Sequence, residues 1–170
     1  MPNKRLNVVP DSVILVSAFV TSDGLAAALL IQCAEKTNLC TAEELLQETR
    51  RVLLEKEHLR NRFLYSDVNV ERFIEALRAK CTVVASLPNL HVIERDPKDD
   101  MVIACAVAAQ ADYIVSRDRD LLDLGEYQGI QIVTPEVFIQ YLRTLWTENM
   151  KEFDKLPKSQ RLRKFGDSLT

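Results

Sequence analysis

Five short segments of this chain, "LNVV", "NLC", "TVVAS", "DYIVS" and "IQIV", are largely apolar on consecutive positions, and helix-length stretches lie between most of them. A strand with one wet face alternates apolar with polar residues, whereas a strand covered on both faces has no reason to. Runs of this kind between helices predict a parallel sheet sandwiched by helices, the α/β class. With 47% hydrophobic residues among 170, the chain has material for one core. We therefore expect one domain over residues 1–146.

Local signals mark the helices. "SVILVSAFV" predicts a short helix, and Ser22 or Asp23 is placed to cap the apolar "GLAAALLIQCAEK". "TAEELLQETRRVLLEKEHL" predicts one helix opened by a capping box, with Thr41 as N-cap and Glu44 reaching back to its amide. "YSDVNVERFIEALRAKC" is amphipathic. "DPKDDMVIACAVAAQ" carries Asp96 as N-cap with Pro97 in the first turn, and Thr134 and Pro135 do the same for "TPEVFIQYLRTLW". "LPNLHVIE" is a connection long enough to hold a further strand. After Trp146 the composition shifts, with six Lys or Arg against four acids over residues 147–170, broken by Pro157 and Gly166. This predicts a basic, partly flexible C-terminal tail, of a charge that suits a nearby polyanion.

Several classes are disfavoured. A net charge of −3 argues against general attraction to nucleic acid, though not against a local groove. The run "VILVSAFV" is too short to span a bilayer, and its flanks lack a signal-peptide pattern. Cys33, Cys40, Cys81 and Cys105 are scattered, and only His58 and His91 could join them. A zinc cage is not expected. The cysteines read as buried thiols in a reducing compartment, which places the protein in the cytoplasm.

The stretch "RDPKDDMVIACAVAAQADYIVSRDRDLLDL" crowds seven aspartates around a core helix and a core strand. Some have local explanations. Asp96 caps, Asp99 and Asp100 lie in a helical first turn where the dipole favours anions, Asp112 opens a strand, and Asp123 suits a surface turn. Asp118 has none: it follows "YIVS", at the carboxyl end of a buried strand, where ligands of open α/β sheets bind. Asp11 has the same address after "LNVV". Asp99 begins a stripe with Ile103 and Ala106, and Asp100 one with Ala104, Val107 and Ala108. Both stripes are apolar, so periodicity does not separate the two acids. Glu48 falls inside the apolar stripe of Leu45, Thr49, Val52 and Leu53, where it needs a metal or an arginine partner.

Asp11, Glu48, Asp99 and Asp118 in one cleft, with no basic residue among them, call for a cation. Asp120 is a fifth candidate, acting through water. Hard oxygen donors without Cys or His select Mg²⁺ or Mn²⁺. Such sites serve phosphoryl or phosphodiester chemistry.

These residues resemble the PIN-domain ribonucleases, in particular bacterial toxin components of toxin–antitoxin pairs. "VVPDSVILVSAF" stands where that family has a strand followed by Asp-Thr-Asn. Glu48 in "EELLQETRRVL" matches its helical glutamate, Asp99 its third acid, and Asp118 in "IVSRDRDLLDL" the acid of its Thr-x-Asp turn. The likeness runs from Leu6 to about Leu145. It implies a three-layer α/β/α fold with about five parallel strands and Mg²⁺- or Mn²⁺-dependent RNA cleavage by Asp11, Glu48, Asp99 and Asp118. It also implies a homodimer and a cognate antitoxin. Ser12 and Ser116 replace threonines and keep the supporting hydroxyls. Val13 replaces the family's asparagine, which predicts weak catalysis. The alternatives are a PIN-fold module that binds RNA or protein with weak or no catalysis, and a receiver-like phosphorylation domain. The receiver is disfavoured because "VVPDS" offers one acid where an adjacent pair is usual.

Overall fold

The computed structural model describes residues 4–155. Five strands run parallel in the order β3-β2-β1-β4-β6. They are β1 (Asn7–Pro10), β2 (Asn38–Ala42), β3 (Thr82–Val84), β4 (Tyr113–Val115) and β6 (Ile130–Val133). A two-residue β5 (Glu126–Tyr127) adds an antiparallel edge through a turn onto β6. Pairing starts at β1 and steps outward to β2 and β3. It then returns to the other side of β1 for β4, which makes the β1/β4 boundary the point where strand order reverses. Pro10 lies opposite Val115 there.

Successive residues of each strand serve opposite faces, as a pleat requires. Val9, Cys40, Ala42, Ile114, Ile130 and Ile132 pack under α6 (Pro97–Ala108) with Ile103, Cys105 and Ala106. Val8, Leu39 and Val115 face the other way. They meet α1 (Ser12–Val20), α2 (Leu25–Lys36) and α8 (Pro135–Lys155) through Ile14, Leu29 and Phe138. Both faces are dry, which explains why the strands do not alternate. A third cluster joins α1 through Leu15 to Leu46 and Leu53 of α3 (Glu43–Glu55) and to Val70, Ile74 and Leu77 of α5 (Asp67–Lys80). The three-layer α/β/α fold is thus present. No helix among the described residues is long and apolar enough to cross a membrane.

Where a cap is local and unopposed, the sequence reading holds. Asp96 accepts from the Lys98 amide at 2.9 Å with Pro97 opening α6, and the Thr134 hydroxyl accepts from the Val137 amide. The capping box at Thr41 and Glu44 does not form. Thr41 and Ala42 stay in β2, paired with Val83 and Val84, and α3 starts one residue later with no side-chain cap. Gly24, not Ser22 or Asp23, precedes α2. The single helix expected through residue 59 breaks at Lys56 into α3 and α4 (Glu57–Phe63). Ser66 and Asn69 form the capping box that does exist, opening α5. Residues 85–96 form no strand. α8 continues past Trp146 to Lys155, and the rest of the expected tail, residues 156–170, lies outside the described residues.

Candidate metal centre

Asp11 and Asp118 each follow a strand that ends at the sheet's carboxyl edge, on the two sides of the reversal point. Each is also the N-cap of the helix that follows. Asp11 Oδ1 accepts from the Ile14 amide at 2.8 Å. Asp118 Oδ1 accepts from the amides of Asp120 (2.9 Å) and Leu121 (3.3 Å), opening the short α7 (Arg119–Leu124). Ser116 joins the two. Its hydroxyl donates to Asp11 Oδ2 and accepts from the Asp118 amide at 2.9 Å. The serine is fully buried, so this bridge is shielded from water. Ser12 opens α1 beside Asp11, and Val13, next along, is half exposed.

Asp99, at the third position of α6, completes the arrangement. One carboxylate oxygen from each of Asp99, Asp118 and Asp120 lies within 4.8 Å of the other two. Asp99 Oδ2 is buried and has no hydrogen-bond partner. Burial is the main cause that pushes the Asp99 carboxyl up to about 7, and the charges of Asp118, Asp96, Asp120 and Asp11 add to it. The helix dipole, which would favour an anion here, is outweighed. Burial likewise raises the Asp11 carboxyl, against the opposing hydrogen bond from Ser116.

Asp100 has a separate task. It accepts from the amides of Val92 (2.9 Å) and Ile93 (2.8 Å) and anchors the irregular connection onto α6. The ambiguity between neighbouring acids is thereby resolved: Asp99 faces the carboxylate group and Asp100 faces the chain.

Glu48 lies outside the trio. Arg51, one turn along α3, holds it with two hydrogen bonds of 2.8 and 3.0 Å, and Lys98 Nζ approaches to 3.4 Å. The arginine hydrogen bonds are the main cause that lowers its pKa. Lys98 adjoins Asp99, so Glu48 borders the N-terminal end of α6 without joining the closest acids. Arg95 Nη1 stands 3.7 Å from Asp120 Oδ1. The expectation of acids with no base among them is therefore corrected: Arg51, Lys98 and Arg95 rim the acids. Sequence spacing carried part of this signal, because Glu48 and Arg51 are three apart on one helix.

The trio suits a hard divalent cation. Oxygens bound to one Mg²⁺ at about 2.1 Å can stand no more than about 4.2 Å apart, so small side-chain rotations close the set. The orphaned Asp99 oxygen supplies the need for a partner. Cysteine plays no part in it. Burial pushes Cys33 and Cys105 up to about 12 and Cys81 up to about 11, which leaves them protonated.

Residues 7–120 match the family profile of the PIN domain, a span that contains all five candidate acids. The chain belongs to the PIN domain family. PIN domains are generally nucleases that use divalent metal ions. A search of curated proteins finds no match.

Proposed function

We propose that this protein is a metal-dependent endoribonuclease and the toxin of a toxin–antitoxin pair. The observation that carries the nuclease reading is the Asp99, Asp118 and Asp120 trio, closed to 4.8 Å beside a strand-order reversal. In this reading these three acids and Asp11 surround one Mg²⁺ or Mn²⁺, and Glu48 borders them. The ion would lower the pKa of the attacking water and neutralise charge gathering on the phosphate oxygens. The chain's own contribution is positional. Ser116 ties the loop after β4 to the carboxylate after β1, so two acids 107 positions apart keep one geometry. Asp99, whose carboxyl burial raises to about 7, would give up its remaining proton to a bound cation.

The toxin role, a cognate antitoxin and a homodimer rest on the resemblance of the motifs around Asp11, Glu48, Asp99 and Asp118 to PIN toxins. Val13 favours a second reading, a PIN module that binds RNA with little or no cleavage. A polar side chain is absent two residues after Asp11, on an exposed position that would accept one without burial.

The test is cleavage of an unstructured RNA by the purified protein with Mg²⁺, Mn²⁺ or chelator. Cleavage that needs the metal and disappears in Asp118→Asn supports the enzyme. RNA binding without cleavage under every metal supports the module.

A further inference from the structure

Of the three cations at the rim of the acids, two are loosely held. Arg95 has a side chain that is 84% exposed and reaches only 3.7 Å from Asp120. Lys98 is 60% exposed and 3.4 Å from Glu48. Both precede or open α6, the helix that carries Asp99, so they approach the same cluster from its N-terminal side. Several other ion pairs among the described residues are tighter: Arg50 with Glu71 at 2.6 Å, Arg60 with Asp67 at 2.6 Å, Arg51 with Glu48 at 2.8 Å. Exposed pairs at the long end of contact are weak, about 0.2–1 kcal/mol each. A divalent ion among Asp99, Asp118 and Asp120 outcompetes the Arg95 pair directly.

From this geometry, and resting on the nuclease reading above, we infer that Arg95 and Lys98 are exchangeable counter-ions. They neutralise Asp120 and Glu48 while the site is empty. When a metal takes over Asp120, Arg95 is released to the phosphates of the RNA strand that enters beside it, and Lys98, which Glu48 can spare because Arg51 holds it, turns to them as well. Arg51 is excluded from this exchange. Its two close hydrogen bonds keep Glu48 neutralised after Lys98 has left. The long stems of Arg95 and Lys98 allow the swing, and their lack of other described partners gives them nowhere else to go. Arg95 presents a planar fork that fits two phosphate oxygens, whereas Lys98 acts as a point charge. The site thereby exchanges a mild internal pairing for one with substrate, and its cationic rim is fully available only after the metal is in place.

The exchange predicts opposite effects on two ligands, which a structural role would not give. Mn²⁺ binding is measured by titration calorimetry on the full chain as parent, Arg95→Ala, Lys98→Ala and the double variant. Loss of Arg95, which pairs with an acid of the trio, should tighten Mn²⁺ by about 1.4- to 5-fold, the factor set by an exposed ion pair, and loss of Lys98, whose partner Glu48 keeps Arg51, should tighten it less. RNA binding is then read by anisotropy with a short phosphorothioate oligoribonucleotide and Mg²⁺, which grips sulfur poorly and cleaves it slowly. Each variant should weaken this binding and reduce the slope of log affinity against log salt by about 0.7, the single-strand value per phosphate contact. Without Mg²⁺, the variants should lose less RNA affinity than with it. An Arg95→Ala protein that binds Mn²⁺ no more tightly, or any of the variants binding RNA no more weakly, than a parent that takes up Mn²⁺ overturns the exchange alone. A parent that takes up no Mn²⁺ overturns the nuclease reading, and the exchange falls with it.

Discussion

Replacing Asp99 by asparagine should make the empty protein more stable, and only above a defined pH. The Asp99 carboxyl is raised from 3.8 to about 7, first by burial and then by neighbouring acids. Its folded-state pKa lies above the unfolded one. Its favourable contribution is therefore complete below about pH 4 and is lost as pH rises through about 7. At about 1.4 kcal/mol per pKa unit the whole shift is worth a ceiling of about 4 kcal/mol. Asp99 is only partly buried, so water screens much of that, and about 1–2 kcal/mol is a realistic cost at pH 8. For a chain of this length that corresponds to a gain of about 2–8 °C in Tm for Asp99→Asn. The assay is thermal melting of parent and variant in chelator from pH 4.5 to 8.5. The two curves should converge towards about pH 4, separate as pH rises from there to about 7, and run parallel above it, with the variant higher. Addition of Mn²⁺ should reverse the order, because the parent gains a ligand set that the variant lacks. A variant less stable than the parent at pH 8 in chelator, or a difference independent of pH, would refute the idea that Asp99 is a burdened carboxyl kept for a cation.

Ser116→Ala should lower stability by about 1–3 kcal/mol, since it strands the buried Asp11 oxygen; chemical denaturation measures it. Asp100→Ala should free the amides of Val92 and Ile93 and raise protease sensitivity between residues 85 and 96 while leaving Mn²⁺ affinity unchanged. Val13→Asn should speed single-turnover RNA cleavage, because the position is exposed and an amide there strands nothing; a slower variant would mean that the valine suits this site.

Much of this arrangement could be read from residue order, and the parts that could not have physical reasons. Asp96–Pro97 and Thr134–Pro135 were legible because a cap needs only its own first turn. Thr41 has the same local pattern, yet strand pairing with Val83 claims its backbone first. Asp99 and Asp100 were inseparable because α6 is apolar on both sides of them, and only the amides of Val92 and Ile93, supplied by a connection without pattern, tell them apart. Glu48, an acid in an apolar stripe, needs a partner, and its spacing from Arg51 holds the one the structure gives it, while its place as a metal ligand depends on how α3 sits against α6, which spacing does not carry. The counter-ions Arg95 and Lys98 left no trace beyond charge, since their meaning depends on how α6 docks.

β1 lies in the middle of the sheet, but its partner β4 is made about a hundred residues after it. A growing chain at about 5–20 residues per second therefore carries β1 with one edge unpaired for several seconds. During that interval Asp11 has neither Ser116 nor Asp118 beside it, and no carboxylate trio exists. The cluster of Asp99, Asp118 and Asp120 can thus form only after residue 120 has emerged and β4 has docked. The same delay leaves an open strand edge exposed to other nascent chains. Slow synthesis before β4 should favour aggregation, and faster synthesis there should favour folding.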